Sequence, residues 1–290
     1  MASKRWTAKD LGDLSGRTVV VTGASSGIGL VAAQELSAHG ARVVLAVRDV
    51  DKGRLAVRDF VGEYEIRALN LADLESVRAF AAEWTGDLDV LINNAGIMMA
   101  PAFRTIDDFE LHMGTNHLGP FALTNLLLPF ITDRVVTVSS ILHRRGIIRL
   151  DDLHFDHRPY DAMTAYRASK LANLLFTFEL QRRLSESGSV VRAVSAHPGI
   201  ARTNLVAHVR GVSGFVNRLT LQLFNDAAKG ALPLLYTATQ DVPGGCCVGP
   251  NGVAHLRGYP IIHTTARRSM DTDMARRLWD VSAELTNTGR

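Results

Sequence analysis

Cysteine is nearly missing from this sequence: among 290 residues only Cys246 and Cys247 carry a thiol, and they are neighbours. Adjacent Cα atoms lie about 3.8 Å apart, closer than a disulfide normally spans. A disulfide framework is excluded, which suits a reducing compartment. Long apolar runs are missing too. No stretch approaches the ~18 uninterrupted apolar residues of a bilayer-spanning helix, and the basic opening Met1 to Lys9 leads into no apolar signal core. No integral membrane segment and a cytoplasmic location are therefore expected. Charge of one sign is scarce, with 32 Lys and Arg against 29 Asp and Glu, a net of +3. The basic pairs Arg144-Arg145, Arg182-Arg183, Arg267-Arg268 and Arg276-Arg277 are scattered, with no aromatic interleaving to grip a phosphate backbone. Nucleic acid is thus not an expected partner. Repeats, low-complexity tracts and Pro/Gly linkers are also absent, so no boundary marks a second domain.

What is present is a large apolar fraction, 47%, too high for a disordered chain. It is concentrated in short β-branched runs: Arg17 to Thr22, Arg42 to Val47, Glu65 to Leu69, Leu88 to Ile92, Arg134 to Ser139 and Val190 to Ala196. Between them lie stretches with helical spacing, such as Gly29 to His39, Asp73 to Trp84 and Ala165 to Leu184. Strand-helix alternation implies an α/β fold, a single doubly wound domain over residues 1–290 whose parallel sheet carries helices on both faces. Residues 1–16 form a lead, 201–225 an apolar helical lid over the substrate, and 246–290 an extension with a last strand, a turn and an Arg-rich helix.

The first strand runs into Thr22-Gly23-Ala24-Ser25-Ser26-Gly27-Ile28-Gly29, and a helix opens within this turn. Glycines permit a sharp turn and close approach of a pyrophosphate, and the free N–H groups of the helix start attract the anion. Gly23, Ser25, Ser26, Gly27, Ile28 and Gly29 are therefore candidate cofactor contacts. The Gly-x-x-x-Gly-x-Gly spacing resembles the turn of the short-chain dehydrogenase/reductase family, whose fold is the dinucleotide-binding Rossmann domain.

At the end of the second strand, Val47 can neither bond a ribose hydroxyl nor repel a 2′-phosphate, whereas Arg48 can grip that phosphate with its planar fork. Asp49 stands 20 residues after Gly29, where a ribose-binding acid is expected, or else caps the next helix. The family resemblance pairs an arginine here with NADP(H), which is favoured over NAD. The resemblance further implies that Asn70 and Leu71 hold the adenine, Asn70 through its amide oxygen, and that Asn94, Ala95 and Gly96 line the adenosine ribose. Pro198, Gly199, Ile200 and Thr203, after the sixth strand, would hold the nicotinamide carboxamide.

Tyr166 and Lys170 stand four residues apart, sharing one helix face. A phenol near pKa 10 is a poor catalyst at neutral pH, but a neighbouring ammonium and a cationic nicotinamide favour its ionised form. Ser140, with Ser139 as the fallback, ends the fifth strand, where open sheets present binding residues. In Asn116-His117-Leu118-Gly119-Pro120, Pro120 has no N–H for the carbonyl of Asn116, which is thereby released to hold a water in a kinked helix. A plain helix cap is the alternative for Asn116. By resemblance, Asn116, Ser140, Tyr166 and Lys170 are the catalytic set: Tyr166 passes the proton, Ser140 binds the carbonyl, Lys170 lowers the phenol and holds the ribose, and Asn116 links Lys170 to solvent. His197 reads as structural. His154 and His157 lack a third ligand, and no metal is expected.

The texture around Asn116, around Val138-Ser139-Ser140 with His143, and from Tyr166 to Asn173 is most similar to the retinol dehydrogenase-like group. That resemblance implies a small lipophilic carbonyl or alcohol substrate, and allows a homodimer or homotetramer. The rival class is a dinucleotide-binding sensor or scaffold without turnover, which would have no use for Tyr166 and Lys170.

Overall fold

A computed structural model describes residues 5–199 and 226–289 of the chain. The expected lid, together with Ile200 and Thr203, lies outside the described residues. In chain order the elements are β1 (Thr18–Thr22), α1 (Gly27–Ala38), β2 (Arg42–Val47), α2 (Val50–Ala56), β3 (Tyr64–Ala68), α3 (Leu74–Ala82) and β4 (Leu88–Asn93). Next come α4 (Leu111–Met113), a π turn (Gly114–Leu118), α5 (Gly119–Leu127), β5 (Ile131–Val138), α6 (Ala162–Glu186) and β6 (Arg192–Ala196). After the break follow α7 (Ala227–Thr239), β7 (Cys247–Pro250), β8 (Pro260–Ile262) and α8 (Thr272–Thr286).

The eight strands form one sheet in the order β3-β2-β1-β4-β5-β6-β7-β8, parallel except for the final β7/β8 pair. Alternation along β1 shows why these runs are apolar throughout: Val20 packs into the core on one face, Val19 and Val21 into the core on the other. The first core is closed by α3, α5, α6 and α8, the second by α1 and α7. On the first face, Trp279 of α8 stacks on Phe176 of α6 and meets Phe121 of α5 edge-on, so the C-terminal extension seals the helices that carry the candidate site.

One expectation needs correction here. The extension contributes two strands instead of one, because Gly249 and Pro250 end β7 and the chain returns antiparallel as β8. Within the lead, Trp6, Leu11 and Leu14 are buried in the second core. Cys246 and Cys247 are both free thiols, buried, and pushed up by that burial to about 11 and about 12.

The strand order places the site. The chain reverses direction across the sheet at β1, whose neighbours are β2 and β4, and the ends of those strands open a crevice there. Among the described residues no helix is long and apolar enough to cross a membrane.

Candidate active site

The glycine turn lies at this reversal. Gly23 adopts φ +67°, and a Cβ on it would come within 2.9 Å of Ala95. A Cβ on Gly29 would strike the Asn94 amide at 2.3 Å. The β4 end is tied to the same turn: the N–H groups of Asn94 and Ala95 both donate to Thr22 Oγ1 at 3.0 Å, and Asn94 Nδ2 donates to Thr22 O at 2.8 Å. Glycine at 23 and 29 is thus the condition for β1 and β4 to converge.

Five other helices start on a capping aspartate. Asp49, Asp73, Asp161, Asp226 and Asp271 accept first-turn N–H groups of α2, α3, α6, α7 and α8. At α1, Ser26 makes no side-chain cap hydrogen bond. The α1 first turn thus takes no bond from the Ser26 side chain, its helix dipole starts at the glycine turn, and the space left by Gly23 and Gly29 fits the close approach of a pyrophosphate. Ser25, Ser26 and Gly27 are half-buried beside it, while Ile28 is buried in the second core.

At the end of β2, Arg48 is exposed, and Asp49 takes the capping role, accepting from Lys52 N at 2.9 Å. Asn70 Oδ1 accepts Ala72 N at 3.2 Å in a local turn, which leaves the second lone pair of that oxygen for a further donor. Leu71 is a core residue whose backbone carbonyl lies against Gly119, where a Cβ would approach to 2.2 Å. Pro198 and Gly199 are half-buried after β6, and Gly199 turns with φ +69°.

Opposite the turn, α6 brings Tyr166 and Lys170 to one face. Tyr166 is 4% exposed, and the Lys170 ammonium lies 5.9 Å from its ring centre. Lys170 Nζ donates to Val138 O at 3.1 Å. Burial dominates both groups: it pushes Lys170 down to about 8 and Tyr166 up to about 12, the latter opposed by the nearby Ser140 hydroxyl. The ammonium is itself desolvated and spends a hydrogen bond on Val138, and burial is the larger influence on the phenol.

The serine pair separates cleanly. Strand β5 ends at Val138, one pleat before the expected terminus, and Ser139 turns inward to donate from Oγ to Lys170 O at 2.7 Å. Ser140 opens a short 3-10 turn, Ile141–Arg145, and faces Tyr166. His143, noted in the sequence as texture without a role, holds Ser140 in place: buried, it donates from Nδ1 to Ser140 O at 2.7 Å and accepts Ala266 N at Nε2 at 3.2 Å. Burial pushes its imidazole down to about 4.

Asn116 sits in the π turn ahead of Pro120, the local irregularity expected where the ladder loses a donor. Its buried side chain accepts Ile97 N (2.7 Å) and donates to Ile97 O (3.0 Å) and Ser169 Oγ (2.9 Å). A Cβ on Gly96 would lie 3.1 Å from Asn116 Oδ1 and 3.3 Å from Lys170 Nζ, so Asn116, Gly96 and Lys170 meet at one point. Of the other histidines, fully buried His197 accepts Gly199 N at Nδ1 (3.2 Å), and burial keeps it well below the usual histidine range. His154 accepts Glu110 N at Nδ1 (3.2 Å), while the backbone of exposed His157 donates to Asp152.

A glycine turn and an uncapped helix facing a Tyr-Lys-Ser-Asn cluster are the setting in which comparison becomes decisive. Residues 17–212 match the family model for the short chain dehydrogenase. The chain belongs to the short-chain dehydrogenase/reductase family. Human retinol dehydrogenase 11 is 43% identical over 288 residues, spanning 94% of this chain and 86% of that protein. A crystal structure of an uncharacterized protein from Mycobacterium paratuberculosis superimposes with a TM-score of 0.87 at 50% identity, covering 98% of both chains. A short chain dehydrogenase from Burkholderia cenocepacia J2315, in complex with NADP, gives a TM-score of 0.64 at 25% identity over 81% of this chain and 96% of that one. As a member of the family the chain is an oxidoreductase of CH–OH and carbonyl groups that uses NAD(P), and it is retinol dehydrogenase-like.

Proposed function

We propose that this short-chain dehydrogenase/reductase transfers hydride reversibly between NADP(H) and a lipophilic carbonyl or alcohol. The observation that carries the reading is the meeting of Tyr166, Ser140 and Lys170 at the strand ends beside the uncapped glycine turn. Bound there, the dinucleotide supplies the hydride donor or acceptor. Gly23, Ser25, Ser26, Gly27, Ile28 and Gly29 would hold its pyrophosphate, Asn94, Ala95 and Gly96 the adenosine ribose, and Asn70 and Leu71 the adenine. Pro198 and Gly199, with Ile200 and Thr203 outside the described residues, would hold the carboxamide.

The residues divide the remaining work. Tyr166 donates its phenolic proton to the substrate oxygen during reduction and recovers it during oxidation. Ser140 donates its one hydroxyl proton to the same oxygen. Lys170 holds the nicotinamide ribose and places positive charge beside Tyr166, and the Asn116 backbone connects Lys170 to solvent. Ser140→Ala is expected to lower kcat about 100-fold, the usual cost of losing one donor to a reacting oxygen. Ser139→Ala is expected to cost about 1 kcal/mol in urea unfolding with kcat close to wild type, since its hydroxyl serves only the Lys170 carbonyl.

NADP(H) is favoured over NAD(H) by two features of β2: Arg48 stands exposed at its end, and Asp49, the rival, is engaged in capping α2. An arginine fork on a phosphate is a charge-assisted pair, so Arg48→Ala should reduce the NADPH/NADH affinity ratio about 10- to 100-fold. Fluorescence titration with both cofactors checks this, and an unchanged ratio removes Arg48 from the 2′-phosphate site. The apolar substrate class is supported by the retinol dehydrogenase relatives. The deciding experiment follows NADPH consumption over short aliphatic, long aliphatic, aromatic and steroid carbonyls. Turnover confined to the apolar members is expected, whereas NADPH bound and never consumed would mean a silent binding protein.

A further inference from the structure

The segment leaving β4 is held in an unusual way. Ile97 has both backbone groups engaged by Asn116, whose Oδ1 accepts its N–H at 2.7 Å and whose Nδ2 donates to its carbonyl at 3.0 Å. Three residues later Ala100 has both groups engaged as well. Its N–H donates to His112 Nε2 at 3.2 Å, and its carbonyl accepts the Tyr160 hydroxyl at 2.8 Å. Between the two clamped residues lie Met98 and Met99, half-buried, with Met99 at φ +57°, a conformation that residues bearing a Cβ seldom adopt.

The second clamp is itself fixed. Glu110, 3% exposed, caps α4 by accepting His112 N at Oε1 (2.9 Å) and Met113 N at Oε2 (2.7 Å). The same Oε1 accepts the His112 Nδ1 proton at 2.8 Å. With its proton on Nδ1, fully buried His112 has Nε2 left to receive the Ala100 N–H, so carboxylate and backbone select one tautomer together. Tyr160 closes the network, its hydroxyl 3.2 Å from His112 Nδ1. The His112 ring stands edge-on to the ring of Tyr166, 6.2 Å between centres, which sets the clamp beside the proton donor.

Packing does not call for such control of a half-exposed segment, but a binding wall does, since its side chains must be held to within a fraction of an ångström. Strained backbone of this kind gathers at ligand sites, where surrounding bonds over-determine it. Methionine, unbranched and polarizable, suits contact with apolar groups of varied shape. We propose that Met98–Met99 forms the apolar wall of the substrate site, selecting carbonyls with aliphatic or aromatic bulk beside the reacting carbon. Glu110, His112 and Tyr160 are its positioning residues, acting through Ala100 without touching substrate. The inference rests on the carbonyl oxidoreductase reading above and deepens it.

Tyr160→Phe tests this, because it removes the bond to the Ala100 carbonyl and keeps the ring that packs on Phe155. Three readouts are compared with wild type: amide hydrogen exchange at residues 97–101, NADPH affinity, and kcat and KM for a short aliphatic aldehyde and for a bulky aromatic ketone. Exchange at 97–101 is expected to accelerate, and kcat/KM for the bulky ketone to fall about 10-fold through KM, the scale of one lost hydrogen bond. NADPH affinity and kcat/KM for the short aldehyde should stay within about two-fold. Met99→Ser, which leaves the clamp intact, should lose the bulky ketone selectively, and Met99→Leu should retain it. Equal losses on both substrates, a weakened NADPH affinity, or unchanged exchange in Tyr160→Phe overturns the proposal alone. A wild-type enzyme that turns over neither carbonyl overturns the functional reading and the proposal with it.

Discussion

Replacing Tyr166 by phenylalanine is expected to lower kcat about 10²- to 10⁴-fold, the range of a single general acid–base group, with NADPH affinity and unfolding midpoint close to wild type. The expectation follows from how completely the neighbouring groups are occupied. His112 spends Nδ1 on Glu110 and Nε2 on Ala100; His143 spends its two nitrogens on Ser140 O and Ala266 N. Neither can substitute as a proton source without breaking the structure that holds the site. The hydroxyl contributes little else, since phenylalanine keeps the aromatic ring in place and Ser140 retains Leu142 N as a partner. Direction matters for pH. Burial holds the Tyr166 phenol up at about 12, so it stays protonated through neutral and mildly basic pH. Carbonyl reduction should thus be flat from about pH 6 to 7 and fall above about pH 8 as Lys170 loses its proton, while alcohol oxidation, which requires the ionised phenol, should climb with pH from about 6 to 8. Stopped-flow NADPH oxidation and the reverse assay with an alcohol measure both. Wild-type kcat in Tyr166→Phe would show that the proton comes from elsewhere.

The sequence exposes what depends on local period and order. Val19 to Val21 reads as a strand buried on both faces because every residue is apolar, and one residue in two does turn to each core. Tyr166 and Lys170 read as one face because the helix period is fixed, and the glycine turn reads as a phosphate cradle because the strand before and helix after are visible. The strands β7 and β8, of four and three residues, are too short to show a period. The choice between Ser139 and Ser140 depends on the residue at which β5 stops pairing, which is set by its neighbour β6 and not by the serines. The clamp on Ala100 is hidden for another reason: Tyr160 and Glu110 stand 50 positions apart, and nothing local announces that they meet. Burial is likewise a property of the assembled fold. Only with α6 against β5 does it become evident that Tyr166 and Lys170 are both desolvated, so that the phenol rises where the pairing of charges alone suggests it should fall.

Lys170→Met is expected to abolish turnover and at the same time to stabilise the fold. Lys170 is 4% exposed, and burial pushes its ammonium down to about 8 from an ordinary 10.5. That gap corresponds to about 3 kcal/mol of cost for keeping the charged form inside the protein at neutral pH. Methionine keeps an unbranched chain of similar length and carries no charge to desolvate. Nor does its loss of a donor orphan the carbonyl beneath, because Val138 O still accepts Asn173 Nδ2 at 3.0 Å. A gain of about 1 to 3 kcal/mol at pH 7 is therefore expected, the lower end allowing for the lost hydrogen bond. The sign with pH is fixed by linkage. Between about 8 and 10.5 the unfolded wild-type chain binds a proton at Lys170 that the folded chain does not, so wild-type stability rises with pH across that window. Tyr166, raised to about 12, acts in the opposite sense only above its ordinary value of 10.0. The advantage of Lys170→Met should consequently be largest near pH 7 and shrink by about pH 9.5, measured as the difference in urea unfolding free energy at the two values. A variant less stable than wild type at pH 7, or a difference that does not move with pH, would mean that the ammonium is better solvated than its burial implies.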